Sequence, residues 1–366
     1  MKRVVVLVLI TVSWSFSQTQ QQRFTKVESN LSADELYAKG RDLFTQAATA
    51  GDARERAENL KQAVKYFEES VSKDPEYLQG YLALLQCYTS MTGFGTTNSA
   101  GAFAKLKTAA AKAVELNESL PEPHQLLAWA KYQYDWDWDG AEQEFKRALD
   151  LNPEFAELWP RYASFLAAQG KFKDAMLEIN RMSRYNTDRG WSNFSLGYIF
   201  YWTREYDSAI THYKVAVAAQ PKSWQFHFYL GLAYVQKSRY DEGIEELRSA
   251  VILSVRNATA IAGLGYGLGL AGKRHEALST LEELEKTWSS SRPVPGSMAP
   301  AYRIAAIYAA LGEKEQTLEW LEKGLEGKNP WMLWLMVDAA FDSLHKERRF
   351  ISLLKEIGVW QRQERH

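Results

Sequence analysis

A chain of 366 residues, 46% hydrophobic and 24% charged, has ample material for a large packed core. Its formal charge of −1 provides no basic field to gather phosphates, which argues against nucleic-acid binding as the main activity, since that affinity comes largely from neutralising backbone charge. A lone cysteine, Cys87, rules out an internal disulfide and a cysteine-based metal site, so stability must come from packing.

The first residues read as an address. Lys2 and Arg3 precede the apolar run 4–12, and Ser15, Phe16 and Ser17 put small residues at the two positions a signal peptidase inspects. The expectation for 1–17 is a signal peptide cleaved after Ser17, so that the chain works in the periplasm or is secreted. The run is short for a bilayer span and no cysteine follows it for lipid attachment, so a membrane would be touched only through this segment if it stays uncleaved. Residues 18–31, with Gln18, Gln20, Gln21 and Gln22, read as a flexible Gln-rich leader.

From 32 to 330 the chain reads as about eight helical hairpins. The first uses Leu36, Gly40 and Leu43 in its first helix and, after an insertion, Ala63, Phe67 and Ser70 in its second. The next has Tyr81, Leu84 and Tyr88, an insertion around 91–100, then Ala110 and Ala113. The third has Leu127 and Trp129, then Ala141, Phe145 and Ala148. Through the middle the period is 34 residues: Ala175, Ala209, Gly243 and Ala277 each open a second helix, and Ile179, Tyr213, Leu247 and Leu281 follow four residues later. Closely crossing helices need a small residue at the contact and a large apolar one beside it. Gly197, Gly231 and Gly265 keep the same interval in the first helices, where glycine costs up to about 1 kcal/mol relative to alanine and therefore marks close packing. Pro75, Pro153 and Pro221 stop second helices. The last hairpin has Ile304, Tyr308, Gly312 and Leu321, displaced by a linker at 289–296. In 331–366, Phe341, Leu344, Phe350, Leu353, Leu354 and Ile357 recur at helical spacing with Lys346–Arg349 facing water, the pattern of a C-terminal cap on the array.

These residues resemble the tetratricopeptide-repeat (TPR) family, above all Leu230-Gly231-Leu232-Ala233-Tyr234, followed by the small, large, small and proline positions of the second helix. The resemblance implies an all-α fold, a right-handed superhelix of antiparallel helix pairs. Tyr134–Trp138, Asn329-Pro330-Trp331 and 341–350 further resemble the TPR arrays attached to bacterial signalling and transcription regulators, although here an export signal is expected where the effector would stand. In the family, the first helix of each pair lines the concave face. Carried onto this chain, those positions include Trp129, Tyr132, Trp191, Phe194, Tyr198, Tyr201, Trp202, Phe228, Tyr266 and Tyr302. Rigid aromatics bury much area at small entropic cost, so this wall is the candidate binding site for a protein or peptide. The family's lysine–asparagine carboxylate clamp is missing, since the corresponding pairs are Pro160 with Ser164, Phe194 with Tyr198, and Phe228 with Leu232.

Three motifs imitate other chemistry. Gly267, Gly269 and Gly272 match a dinucleotide fingerprint but fall inside a helix rather than between a strand and a helix. Asp135, Asp137, Asp139 and Gly140 open like a calcium loop, yet Lys146 stands where the closing glutamate belongs. The six histidines lack paired-ligand spacing. No cofactor, metal or catalytic residue is therefore assigned. The expectation is a non-enzymatic extracytoplasmic scaffold; the alternatives are a permanent subunit of an envelope or secretion assembly, or an enzyme whose residues converge from several repeats.

Overall fold

The computed structural model describes residues 31–50, 53–92, 99–155, 158–182, 189–290 and 301–360. The expected signal peptide, most of the leader and most of the 289–296 linker lie outside these residues. Among the described residues every α-helix or shorter helical turn belongs to an all-α architecture, with seventeen α-helices and no strand. The chain divides into two compact units, one up to Met91 and one from Thr92 onward.

The first unit holds α1 (Ala33–Thr49), α2 (Ala53–Lys73) and α3 (Leu78–Thr92). Ser32 and Glu35 cap α1 reciprocally: Ser32 Oγ accepts from the Glu35 N–H and Glu35 accepts from the Ser32 N–H, which satisfies donors that a helix start leaves open. Gly40 lets α2 approach, since a Cβ there would stand 2.6 Å from the Phe67 ring. Ser70 Oγ donates to the Ala33 carbonyl at 2.8 Å, tying the far ends of the hairpin.

In the second unit, α4 (Ser99–Leu116) precedes six hairpins. They are α5 (Pro121–Ala130) with α6 (Trp138–Leu151), α7 (Leu158–Ala168) with α8 (Phe172–Met182), α9 (Arg189–Trp202) with α10 (Tyr206–Ala219), α11 (Trp224–Gln236) with α12 (Tyr240–Leu253), α13 (Ala258–Leu270) with α14 (Arg274–Ser290), and α15 (Ala301–Ala310) with α16 (Lys314–Glu326). A π-helical turn, Lys131–Asp135, extends α5.

The 34-residue period recurs in the backbone. Gly170, Arg204, Ser238 and Gly272 follow successive first helices with φ of 75°, 65°, 59° and 73°, and Gly312 does the same at 78°. In each case the next N–H reaches back to close the helix end, as Lys171 N does to Leu166 O and Lys273 N to Leu268 O. The small residues sit where the hairpins cross. A Cβ on Gly231 would lie 2.9 Å from the Gly243 carbonyl, and a Cβ on Gly197 would lie 2.7 Å from the Tyr213 ring. Gly267 and Gly269 are buried within α13, so the apparent dinucleotide motif is a packing face.

The last segment bonds the final hairpin, through Arg349 to Glu315 and Glu322, and also extends beyond it. After α16 come two 3-10 turns, Pro330–Trp334 and Ala339–Leu344, and then α17 (Arg348–Ile357). Phe341, Leu344, Phe350, Leu353, Leu354 and Ile357 are all buried, and Lys346, Arg348 and Arg349 face water, as the spacing requires. The segment does not simply cover the last hairpin, however: it reaches back to residues more than two hundred positions earlier in the chain.

Candidate functional site

The first helices of the hairpins, and the start of α6, present rings and a few polar groups to the returning segment. Trp202, at the end of α9, stacks on Trp334 with centroids 4.2 Å apart and planes 16° from parallel. Tyr198, one turn earlier, meets the same indole edge-on at 5.5 Å. Tyr302, in α15, donates its hydroxyl to Asp338 at 2.7 Å and meets Phe341 edge-on at 5.3 Å. Trp138, opening α6, donates its indole N–H to the Ile357 carbonyl at 2.8 Å.

Arg204 holds the segment from the α9–α10 turn. Its guanidinium donates to both carboxylate oxygens of Asp342, at 2.6 and 2.7 Å, and to the Val337 carbonyl at 3.3 Å. Its left-handed backbone is one that glycine adopts at the equivalent turns at 170 and 272. Here the side chain provides the anchor that glycine could not.

The electrostatics follow from burial. Asp338 is buried, and desolvation raises its pKa against the lowering effects of the Ala340 N–H and Arg303. Desolvation also lifts the Tyr198, Tyr201 and Tyr302 hydroxyls well above the usual phenol range, so they stay protonated donors. Arg303 is buried at 8% exposure, with its guanidinium 4.4 Å from the Trp331 ring centroid and 5.4 Å from that of Phe228. Its Nε and Nη2 have no hydrogen-bond partner among the described residues. Beside it lies a water-sized cavity of about 10 Å³, lined from the wall by Tyr201, Tyr266 and Arg303 and from the returning segment by Asp338 and Ala340.

The ten rings expected to line an open groove are therefore divided. Tyr198, Trp202 and Tyr302 touch the returning segment, and Tyr201 and Tyr266 line the cavity beneath it. Tyr132, Phe194 and Phe228 belong to the packing between helices. Tyr132 lies among Trp138, Phe145 and Phe165, Phe194 lies against Phe226 and Tyr229, and Phe228 lies against Tyr229. Trp129 is half-buried against Phe103 with the Arg161 guanidinium over its ring. Trp191 alone of the ten is exposed, at 38%, leaning on Phe226. The expectation of a wall facing solvent is corrected: five of the ten rings lie against or beneath the returning segment and four are covered by neighbouring helices. Arg204 and Arg303 were missed by sequence reasoning, which searched the wall for rings and paired clamp residues. The one available signal was an arginine at a turn position that glycine fills elsewhere.

The acidic run also has structural roles. Asp137 caps α6 by accepting from the Gly140 N–H at 2.9 Å, and Asp135 pairs with Lys107 at 2.5 Å. No cluster of metal-binding side chains occurs among the described residues.

Stacked antiparallel hairpins with a common period and turn geometry make this a helical-repeat protein of the solenoid class. Two family models described as tetratricopeptide repeat match residues 137–192 and 194–258. Over these residues the chain carries tetratricopeptide repeats. The transcriptional regulator HilA of Salmonella paratyphi A is 30% identical over 152 residues, 42% of this chain and 27% of the regulator. Superkiller protein 3 of Schizosaccharomyces pombe is 28% identical over 153 residues, 41% of this chain and 10% of that protein. The chain thus spans about a quarter or less of the length of these curated relatives. Among solved structures, yeast Tom70 aligns with a TM-score of 0.52 at 13% identity, covering 89% of this chain and 68% of that one. Human IFIT1, solved as a dimer with PPP-AAAA, aligns with a TM-score of 0.50 at 18% identity, covering 73% and 68%. At these identities the likeness speaks for the fold alone.

Proposed function

We propose that this protein is a non-enzymatic scaffold, exported from the cytoplasm, that binds a protein or peptide partner along the inner wall of its repeats. One observation carries the reading: the wall is already gripping a polypeptide. It stacks rings on Trp334, binds main-chain carbonyls at 337 and 357, and pairs with a carboxylate at 342. Main-chain contacts of this kind do not depend on the side chains of the bound segment. The part-exposed Trp191 extends the wall beyond the region the segment covers.

A photo-crosslinking amino acid in place of Trp191 tests the binding, with the same group in place of the outward-facing Leu177 as control. A discrete adduct is expected from 191 and not from 177; equal adducts, or none from 191, would count against the inner wall. Fractionation with N-terminal sequencing tests the export: the mature chain should begin at Gln18 in an extracytoplasmic fraction. Retention of an intact Met1 chain in the cytoplasm would refute that part.

A further inference from the structure

We propose that residues 330–359 are an exchangeable occupant of the wall, and that the partner replacing them carries an acidic side chain among aromatics, closing on Arg303. This rests on the scaffold reading above and names the chemistry of the partner.

Three observations support it. First, part of the segment's hold is unlike the ties within the array. Side-chain ties between hairpins, such as Arg248 with Glu276, join near neighbours in sequence, as do the segment's bonds to the last hairpin from Asp338 and Arg349, but the segment is also held across separations of 133, 138 and 219 residues. It lies across the repeats in the manner of a ligand, and ordering all of it offsets much of what its burial contributes. Second, the segment leaves the wall incompletely satisfied. The two open donors of Arg303, Nε and Nη2, form one edge of the guanidinium, the fork that takes both oxygens of a carboxylate. They lie beside the cavity that Asp338 and Ala340 line, yet Asp338 bonds Tyr302 and leaves the fork empty. A carboxylate can accept from both donors of that edge at once and carries the opposite charge, so a segment that supplies one there gains over the one now bound. Third, the bound backbone enters and leaves the wall as continuous chain, so the geometry calls for an acidic side chain rather than a chain terminus.

The test uses the full-length chain and two labelled, C-terminally amidated peptides. One has the sequence of residues 330–344, and the other is the same with Ala340→Glu. The protein is examined as wild type, as Asp342→Ala, which loosens the docked segment without altering the wall, and as Asp342→Ala combined with Arg303→Gln. Fluorescence anisotropy should show the Ala340→Glu peptide binding Asp342→Ala at least tenfold more tightly than wild type, with that gain lost in the Arg303→Gln combination. The unaltered peptide should bind more weakly and lose less than the glutamate peptide when Arg303 is changed, since it keeps the Trp331 ring contact but places no carboxylate on the fork. Arg303→Lys in the Asp342→Ala background keeps the charge without the fork and should recover only part of the affinity, which separates carboxylate recognition from general loosening. Equal binding to wild type and Asp342→Ala, no binding to either, or indifference of the glutamate peptide to Arg303 would each overturn the proposal. If these fail while the adduct at 191 persists, the segment is a fixed part of the wall and the scaffold reading stands; if both fail, the scaffold reading falls with it.

Discussion

Left-handed backbone at single residues is where the repeat is most visible, and where individual side chains can be weighed. For an L-residue that conformation costs roughly 1–2 kcal/mol, and less is recovered if the residue is β-branched. Val255 takes it at φ 52° after α12, with its side chain 89% exposed and so without packing to offset the cost. Val255→Gly should therefore raise stability by about 0.5 kcal/mol after allowing for the greater freedom of glycine in the unfolded chain, seen as a higher urea midpoint. Arg204 has the same backbone and the opposite expectation. Its pair with Asp342 is about 40% exposed and so worth at most about 1 kcal/mol, and the bond to the Val337 carbonyl adds about 1 kcal/mol. Arg204→Gly should thus lower stability by about 1 kcal/mol despite relieving the backbone. A midpoint equal to or above that of wild type would mean that the guanidinium does not hold the segment.

Helix crossings are the level at which the sequence was most readable. The spacing of Ala175, Ala209, Gly243 and Ala277 corresponds to real contacts, because a close approach excludes a large side chain whatever the surrounding sequence. At the α11–α12 crossing, Gly231 and Gly243 face one another's carbonyls, so Gly231→Ala meets backbone that cannot rotate away. Although alanine is the better helix former, the substitution should destabilise by about 1–3 kcal/mol in a denaturant titration. A second feature joins paired helices. His227 Nδ1 lies 2.6 Å from Glu246, and its Nε2 donates to the Pro221 carbonyl at 3.0 Å, a geometry in which both ring nitrogens act as donors. The hydrogen bond with Glu246 raises the His227 pKa above 6.5, outweighing burial. A raised folded-state value means that the stabilisation is complete below the unfolded value and fades as pH climbs through the folded one. The stability gap between wild type and His227→Gln should therefore be wider at about pH 5.5 than at about pH 8.5. A gap that widens with pH would contradict the pairing. No sequence spacing announces this clip, since histidine and glutamate nineteen residues apart become neighbours only after the hairpin closes.

At the scale of the whole chain, the returning segment was half legible. Its apolar residues were recognisable as buried from their spacing, because burial follows from pattern alone. Their partners were not, because pattern carries no information about pairing across two hundred residues, and periodic reasoning naturally assigns a final segment to the end of the stack. The 3-10 turns around Trp334 and Phe341 also lack the regular interval that would have drawn attention to them. Trp334→Ala, which removes a ring stacked on Trp202, should cost about 3–5 kcal/mol. Hydrogen exchange should show protection falling within residues 99–360, while the first unit, with its own packed pair α1 and α2, keeps its protection.

The polypeptide that packs across the hairpins is synthesised after every hairpin it touches. Hairpins can close locally as they emerge from the ribosome, but contacts such as that of Trp138 with the carbonyl at 357 must wait for some two hundred further residues to be made. Every nascent molecule thus passes through an interval in which its sticky interior is bare. During that interval it depends on holding factors or on rapid completion to escape aggregation, and a premature stop after residue 327 would leave that state permanent.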